Sequence, residues 1–147
     1  MLFLMFLAFL AGIALATQAI LNTHLGQILS NPLFAAFIAF LSSIITISLV
    51  ILVSVKELPS LGIIKTVPIY LWFTGGLLSA FALALFYYLI PKIGILPLIS
   101  LSLAGQLIFA VIVGHYGFFN FPITTIDTRR IIGVVSMLLA IFLINKG

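Results

Sequence analysis

A chain of 147 residues that is 65% hydrophobic and only 5% charged cannot clothe a water-soluble domain, where roughly a quarter of residues carry charge. Its formal net charge of +4, from six basic and two acidic side chains scattered along the chain, excludes a nucleic-acid-binding stripe, and no nucleic-acid partner is expected. With no cysteine there is no disulfide framework and no thiolate metal site, so the expected class is an all-α integral membrane protein forming one transmembrane domain over residues 1–147, with membrane lipids as its surroundings.

A helix needs about 20 mostly apolar residues to cross a hydrocarbon core of ~30 Å. Five runs qualify, near 2–21, 33–55, 67–89, 95–114 and 131–144, the last one short. Each is continuously apolar, whereas a barrel strand alternates polar and apolar faces. The first run ends in an Ala14-Leu15-Ala16 pattern that resembles a signal-peptide cleavage site. It lacks the basic start of such a peptide and is longer than the usual apolar segment, so a membrane span is expected.

The first span carries Gln18 and Asn22, four apart and therefore on one face. His24 and Gln27 mark its exit to water, and Asn31-Pro32 is a turn signal that opens the second span. Ser42, Ser43 and Thr46 add hydroxyls to that second span. The stretch "VKELPSLGIIKTVP" then brings two prolines, a glycine and three charges, as expected of an interface. In the third span, "YLWFTGGLLSAF" sets Gly75 four residues before Ser79 and Gly76 four before Ala80, a spacing that lets two helix backbones approach closely. "IPKIG" reads as a short turn into the fourth span, where Ser102 and Gln106 repeat the four-residue spacing beside Gly105. The longest polar connection, "GHYGFFNFPITTIDTRR", has aromatic residues suited to the headgroup region and leads into the fifth span.

Lys56, Lys65, Arg129 and Arg130 fall on the N-terminal side of the membrane, and Lys92 and Lys146 on the other. Four against two favours an N-terminus facing the cytoplasm, by a margin thin enough to suit dual insertion as well. An odd number of helices means that a second copy joined in tandem would be inverted, and an antiparallel homodimer would build the same ten-helix body without fusion.

Enzymatic chemistry finds no support. Glu57 and Asp127 both lie in connections, His24 and His115 are far apart, and no metal-ligand spacing or Ser–His–acid set can be assembled. No catalytic residue, metal or cofactor is expected. What remains is uncharged polarity at membrane depth. Gln18, Asn22 and Gln106 either hold helices together or, with Trp72 and Tyr70, line a cavity for a small organic solute. Gly75, Gly76, Ser79 and Gly105 are the expected helix-packing positions.

The segment "TQAILNTHLGQILSNPLFAAFIAF" resembles the first stretch of the YdcZ-like proteins, inner-membrane members of the drug/metabolite transporter superfamily. There a Gln, an Asn four later and an Asn-Pro pair match Gln18, Asn22 and Asn31-Pro32. The resemblance continues through Trp72, Gly75 and Gly76, then Pro91, Gly94 and Gly105-Gln106. It closes with "GHYGFF" and the helix holding Arg130 and Gly133. It implies a five-helix subunit of the bacterial inner membrane, paired into a ten-helix transporter body that moves a solute by alternating access. A non-transporting assembly subunit and a small dual-topology channel are the alternatives. The family's acidic residue before the histidine falls on Gly114, and the buried glutamate of the related small multidrug resistance branch has no counterpart here, so the resemblance implies an uncharged site.

Overall fold

The computed structural model describes residues 1–118 and 122–146, and within them the ordered elements are helices. In chain order these are α1 (Leu2–Ile28), α2 (Pro32–Ser54), the short α3 (Leu61–Thr66), α4 (Ile69–Ile93), α5 (Ile95–Tyr116) and α6 (Thr128–Ile144). Backbone contacts divide the chain into two compact units, Met1–Lys92 and Ile93–Gly147. Four helices, α1, α2, α4 and α5, are long and apolar enough to cross a membrane. The fifth expected span corresponds to α6, whose 17 residues extend about 25 Å, just under a hydrocarbon thickness.

In the first unit α1 and α2 form an antiparallel pair joined by a tight turn. The turn is specified twice over. After Leu29, the amide of Ser30 donates to the Gln27 carbonyl and that of Asn31 to the Gly26 carbonyl, the paired bonds that close many helix C-termini. Ser30 adopts the left-handed conformation (φ 53°) that this closure requires, without being glycine. Asn31 then starts α2, its side-chain oxygen accepting from the Leu33 amide at 2.9 Å and the Phe34 amide at 3.3 Å, with Pro32 in the first turn where no amide donor is missed.

Small residues decide how closely the two helices lie. Ala19, Gly26, Ala35, Ala36 and Ala39 are all buried. A β-carbon on Gly26 would lie 3.3 Å from the Ala35 Cβ and 3.3 Å from the Pro32 Cα. In lipid, where apolar helices gain nothing by leaving the solvent, such close backbone approach is the main source of pairing energy.

Three element boundaries depart from the sequence expectation. Helix α1 continues through Thr23, His24 and Gln27 to Ile28, because nothing in "NTHLGQI" breaks a helix before the Ser30 closure. Its 27 residues span about 40 Å, more than the hydrocarbon core, so its polar end reaches the interface. "IPKIG" is not a turn over its length. Helix α4 runs through Pro91 to Ile93, since proline in a last turn costs one carbonyl its donor but does not end the helix, and the break comes at Gly94 (φ 85°). Lastly, α3 is a separate turn of helix capped by the Ser60 hydroxyl, which accepts from the Ile63 amide.

In the second unit α5 packs on α6. Asn145, at the C-terminal end of α6, donates from Nδ2 to the Ser100 hydroxyl at 3.0 Å, and Ser100 donates in turn to the Pro97 carbonyl. The connection between them returns to α5 at Gly114, where the Thr124 amide donates to the Gly114 carbonyl at 2.8 Å. A β-carbon at Gly114 would meet the Thr124 hydroxyl at 2.5 Å. The bare backbone where the resembling family has a carboxylate is thus the seat of Thr124. Asp127 caps α6 by accepting from the Arg130 amide, and the Arg130 guanidinium donates to the Thr125 carbonyl. Phe119, Asn120 and Phe121 of the aromatic connection lie outside the described residues.

Candidate functional site

Several hydroxyls of the spans are satisfied within their own helices. Ser42 and Ser43 donate to the Ala39 carbonyl, Thr46 to Ser42, Thr17 to Ile13, Thr74 to Tyr70 and Ser102 to Ile99, all at 2.7–2.9 Å. Ser and Thr have side chains short enough to bond back to the preceding turn, so in an apolar medium they satisfy themselves. These hydroxyls therefore have no call on a solute. A Gln or Asn side chain carries two donors and an acceptor and cannot be satisfied this way.

The amides are where the polar potential is left over. Gln18 and Asn22 are both half-buried, one turn apart on α1, on the side of the helix that also carries the buried Ala19 and Thr23. Asn22 donates from Nδ2 to the hydroxyl oxygen of Tyr87 on α4 at 3.0 Å. Tyr87 is 2% exposed and sits in the core of the first unit with Ala35 and Ala36, flanked by Leu25, Leu83 and Phe86. The Asn22 carbonyl oxygen and the whole amide of Gln18 have no hydrogen-bond partner among the described residues. The Thr23 hydroxyl, buried beside them, also lacks one.

Trp72 lies elsewhere on α4. It precedes Tyr87 by about four turns, roughly 22 Å of helix, so one chain does not bring its Trp72 and its Asn22 onto the same small solute. The residue is 55% exposed. Gln106, exposed on α5, belongs to the second unit. Of the expected packing positions, Gly75, Gly76 and Gly105 each have open space within 4 Å of where a β-carbon would stand, and Ser79 is exposed. Close packing inside the subunit is instead found at Gly26.

The residue that sequence reasoning passed over is Tyr87. A signal was available: "LFYYLIPK" places two tyrosines within an otherwise apolar run, and a buried phenol in a membrane helix needs a polar partner. The structure divides the pair. Tyr87 turns inward to Asn22, while the exposed Tyr88 holds Lys92, whose ammonium lies 3.9 Å from the ring centre, near the membrane surface.

A family model described as "Putative inner membrane exporter, YdcZ" matches residues 3–143, nearly the full length. The chain belongs to the YdcZ family of inner-membrane proteins. Neither a search of curated proteins nor one of solved structures gave a match. As a YdcZ-family member the chain is a multi-pass protein of the inner membrane, and the four long apolar helices agree. The amide-bearing end of α1, the Tyr87 end of α4 and the Trp72 stretch all fall inside the matched region.

Proposed function

We propose that the chain is a five-span transporter subunit that moves a small, uncharged or zwitterionic organic solute by alternating access, as an antiparallel homodimer. The family's exporter description supports the class of activity. The observation that carries the finer reading is the split of the candidate site along α4. If the midpoint of α4 marks the bilayer centre, Trp72 lies about 13 Å to one side and the Asn22–Tyr87 pair about 9 Å to the other. A second copy related by a twofold axis in the membrane plane would bring its own Trp72 back to within about 5 Å of the depth of Asn22. A parallel copy would not. Each solute position would then combine the amides of one subunit with the indole of the other, and the open faces of Gly75 and Gly76 would meet the partner.

No titratable carboxylate stands in a span, since Glu57 and Asp127 flank the helices, so the site has no proton-binding group of the usual kind. Amide donors and acceptors and an aromatic face suit a neutral polar solute, whose hydration they can replace.

The test is complementation in proteoliposomes. Asn22→Ala and Trp72→Ala, each alone, are expected to abolish flux. Their mixed dimer contains one position with both residues intact, so mixed dimers isolated after co-expression are expected to restore up to about half of it. Absence of any restoration, with mixed dimers isolated by two tags, counts against a site shared between copies. The rival reading is an assembly subunit whose amides only join helices, and the Asn22–Tyr87 bond gives it some footing. Full flux in both single variants would decide against the site, and absence of flux from the wild type would favour the rival.

A further inference from the structure

Gln106 stands where a polar side chain is hardest to satisfy. Helix α5 runs from Ile95 to Tyr116, so its midpoint falls between Gly105 and Gln106. If that midpoint marks the bilayer centre, Gln106 lies within about 1 Å of it along the helix. The face of α5 that packs inside the unit carries the buried Ser100 and Ala104, and Ser100 accepts from Asn145 of α6. Gln106 comes two residues after Ala104, about 200° around the helix, and is exposed. Ser102 and Phe109, four before it and three after, share its face. The Ser102 hydroxyl is bonded to the Ile99 carbonyl, but the Gln106 amide finds no partner among the described residues. Hydrocarbon offers an amide nothing, so this face favours a second polar surface over lipid.

Reversed, the stripe is its own complement. Ser102 and Phe109 lie about 5 Å to either side of the midpoint, and Gly105 and Gln106 about 1 Å to either side. An antiparallel copy therefore sets its Phe109 at the level of Ser102, and its Gln106 at the level of Gly105. Small meets large at each level, and the open space at Gly105 admits the longer side chain. A parallel copy would set Phe109 against Phe109. The two amides come within reach of each other, and since each has donors and an acceptor and is free to turn, they pair whichever way either starts.

We propose that the Ser102–Phe109 face of α5 is a self-association surface, on which the Gln106 amides of two antiparallel copies bond to each other at the bilayer centre. This rests on the antiparallel homodimer of the proposed function and names a surface that joins the copies. Gln106 is then a link between subunits and not a contact for the solute.

The chain has no cysteine, so disulfide trapping between copies is clean. Ser102→Cys and Phe109→Cys chains carrying different tags are co-expressed in one membrane and oxidised. The mixed pair is expected to cross-link. Either variant paired with itself is not, because like positions would stand about 10 Å apart in depth, beyond disulfide reach. Gln106→Leu is expected to weaken association about three- to twentyfold, read from energy transfer between labelled copies. The dissociated subunit should unfold as the wild type does, since Gln106 is exposed there. Like-with-like cross-links without mixed ones mean a parallel pair and overturn the proposal. Unchanged association of Gln106→Leu also overturns it, as does a loss of stability in the dissociated subunit. Energy transfer between wild-type copies with no cross-link from any pair overturns this surface and leaves the homodimer standing on another face. No energy transfer at all removes both.

Discussion

The two ends of α4 are both largely apolar and stand in opposite circumstances. At the C-terminal end, Leu83, Phe86 and Tyr87 are packed on the α1–α2 pair, and the phenol is tied to Asn22. Toward the N-terminal end, residues 69–82 are exposed without exception, including Trp72, Phe73 and Phe81. Apolarity does not separate them, since in lipid both ends are equally content. What differs is the partner surface. The docked end meets alanines, which let an aromatic ring lie close to two backbones, and a matching amide. The open end offers glycines of its own and finds nothing in its unit to use them. The first end therefore holds the subunit together, and the second is suited to a neighbour.

The largest expected contrast comes from removing the aromatic ring at each end. Tyr87→Ala should cost about 3–5 kcal/mol of subunit stability, because it opens a cavity and strands the Asn22 amide. Trp72→Ala should change subunit stability by no more than about 0.5 kcal/mol, as an exposed substitution does. Unfolding by a denaturing detergent, followed through loss of helix signal on the dissociated protein, measures both. Equal losses would mean that the open end is packed within the subunit after all.

Glycines give a second, smaller contrast. A side chain at Gly26 runs into Ala35 and Pro32, so Gly26→Leu should cost about 1–3 kcal/mol by forcing α1 and α2 apart. Gly76→Leu has open space and should leave the dissociated subunit as stable as before. Comparable destabilisation by both, in the same unfolding assay, would erase the distinction between the ends.

Much of this frame was legible in the sequence, and the reasons are specific. Long apolar runs report membrane helices directly, because a helix satisfies its backbone within the segment whereas the strands of a barrel alternate polar and apolar faces. Asn31-Pro32 announces its turn through the chemistry of capping. Helix ends were less legible where the signal was weak: Pro91 looks like a break but sits in a last turn, and the real break is the positive φ of Gly94. The site was legible only in its residue types. Gln18 and Asn22 stand out because amides are rare at such depth. Tyr87 did not, since whether a tyrosine faces a neighbour or the membrane surface is fixed by tertiary packing, as the contrast with Tyr88 shows. Glycine spacing does not say which helix, of the same subunit or another, takes the close approach. Gly75 and Gly76 carry the packing pattern, yet the close approach within the subunit is at Gly26, in "NTHLGQI", where no such pattern is visible.

The smallest effect is the most discriminating, because its sign is at issue rather than its size. Gly75→Ala adds one methyl to a helix where nothing lies within 4 Å. Within the subunit that methyl restricts the unfolded chain and favours helix, worth at most about 1 kcal/mol in the stabilising direction. If α4 of a second copy lies against this face, the same methyl separates two backbones that glycine lets approach, and association should weaken even as the subunit gains. The two quantities can be read on one sample series, subunit stability from the dissociated protein and association from the protein dependence of energy transfer between labelled copies. A gain in the first with a loss in the second is the expected result. A gain in both would place the partner on some other face of the molecule, and the open end of α4 would then belong to lipid alone.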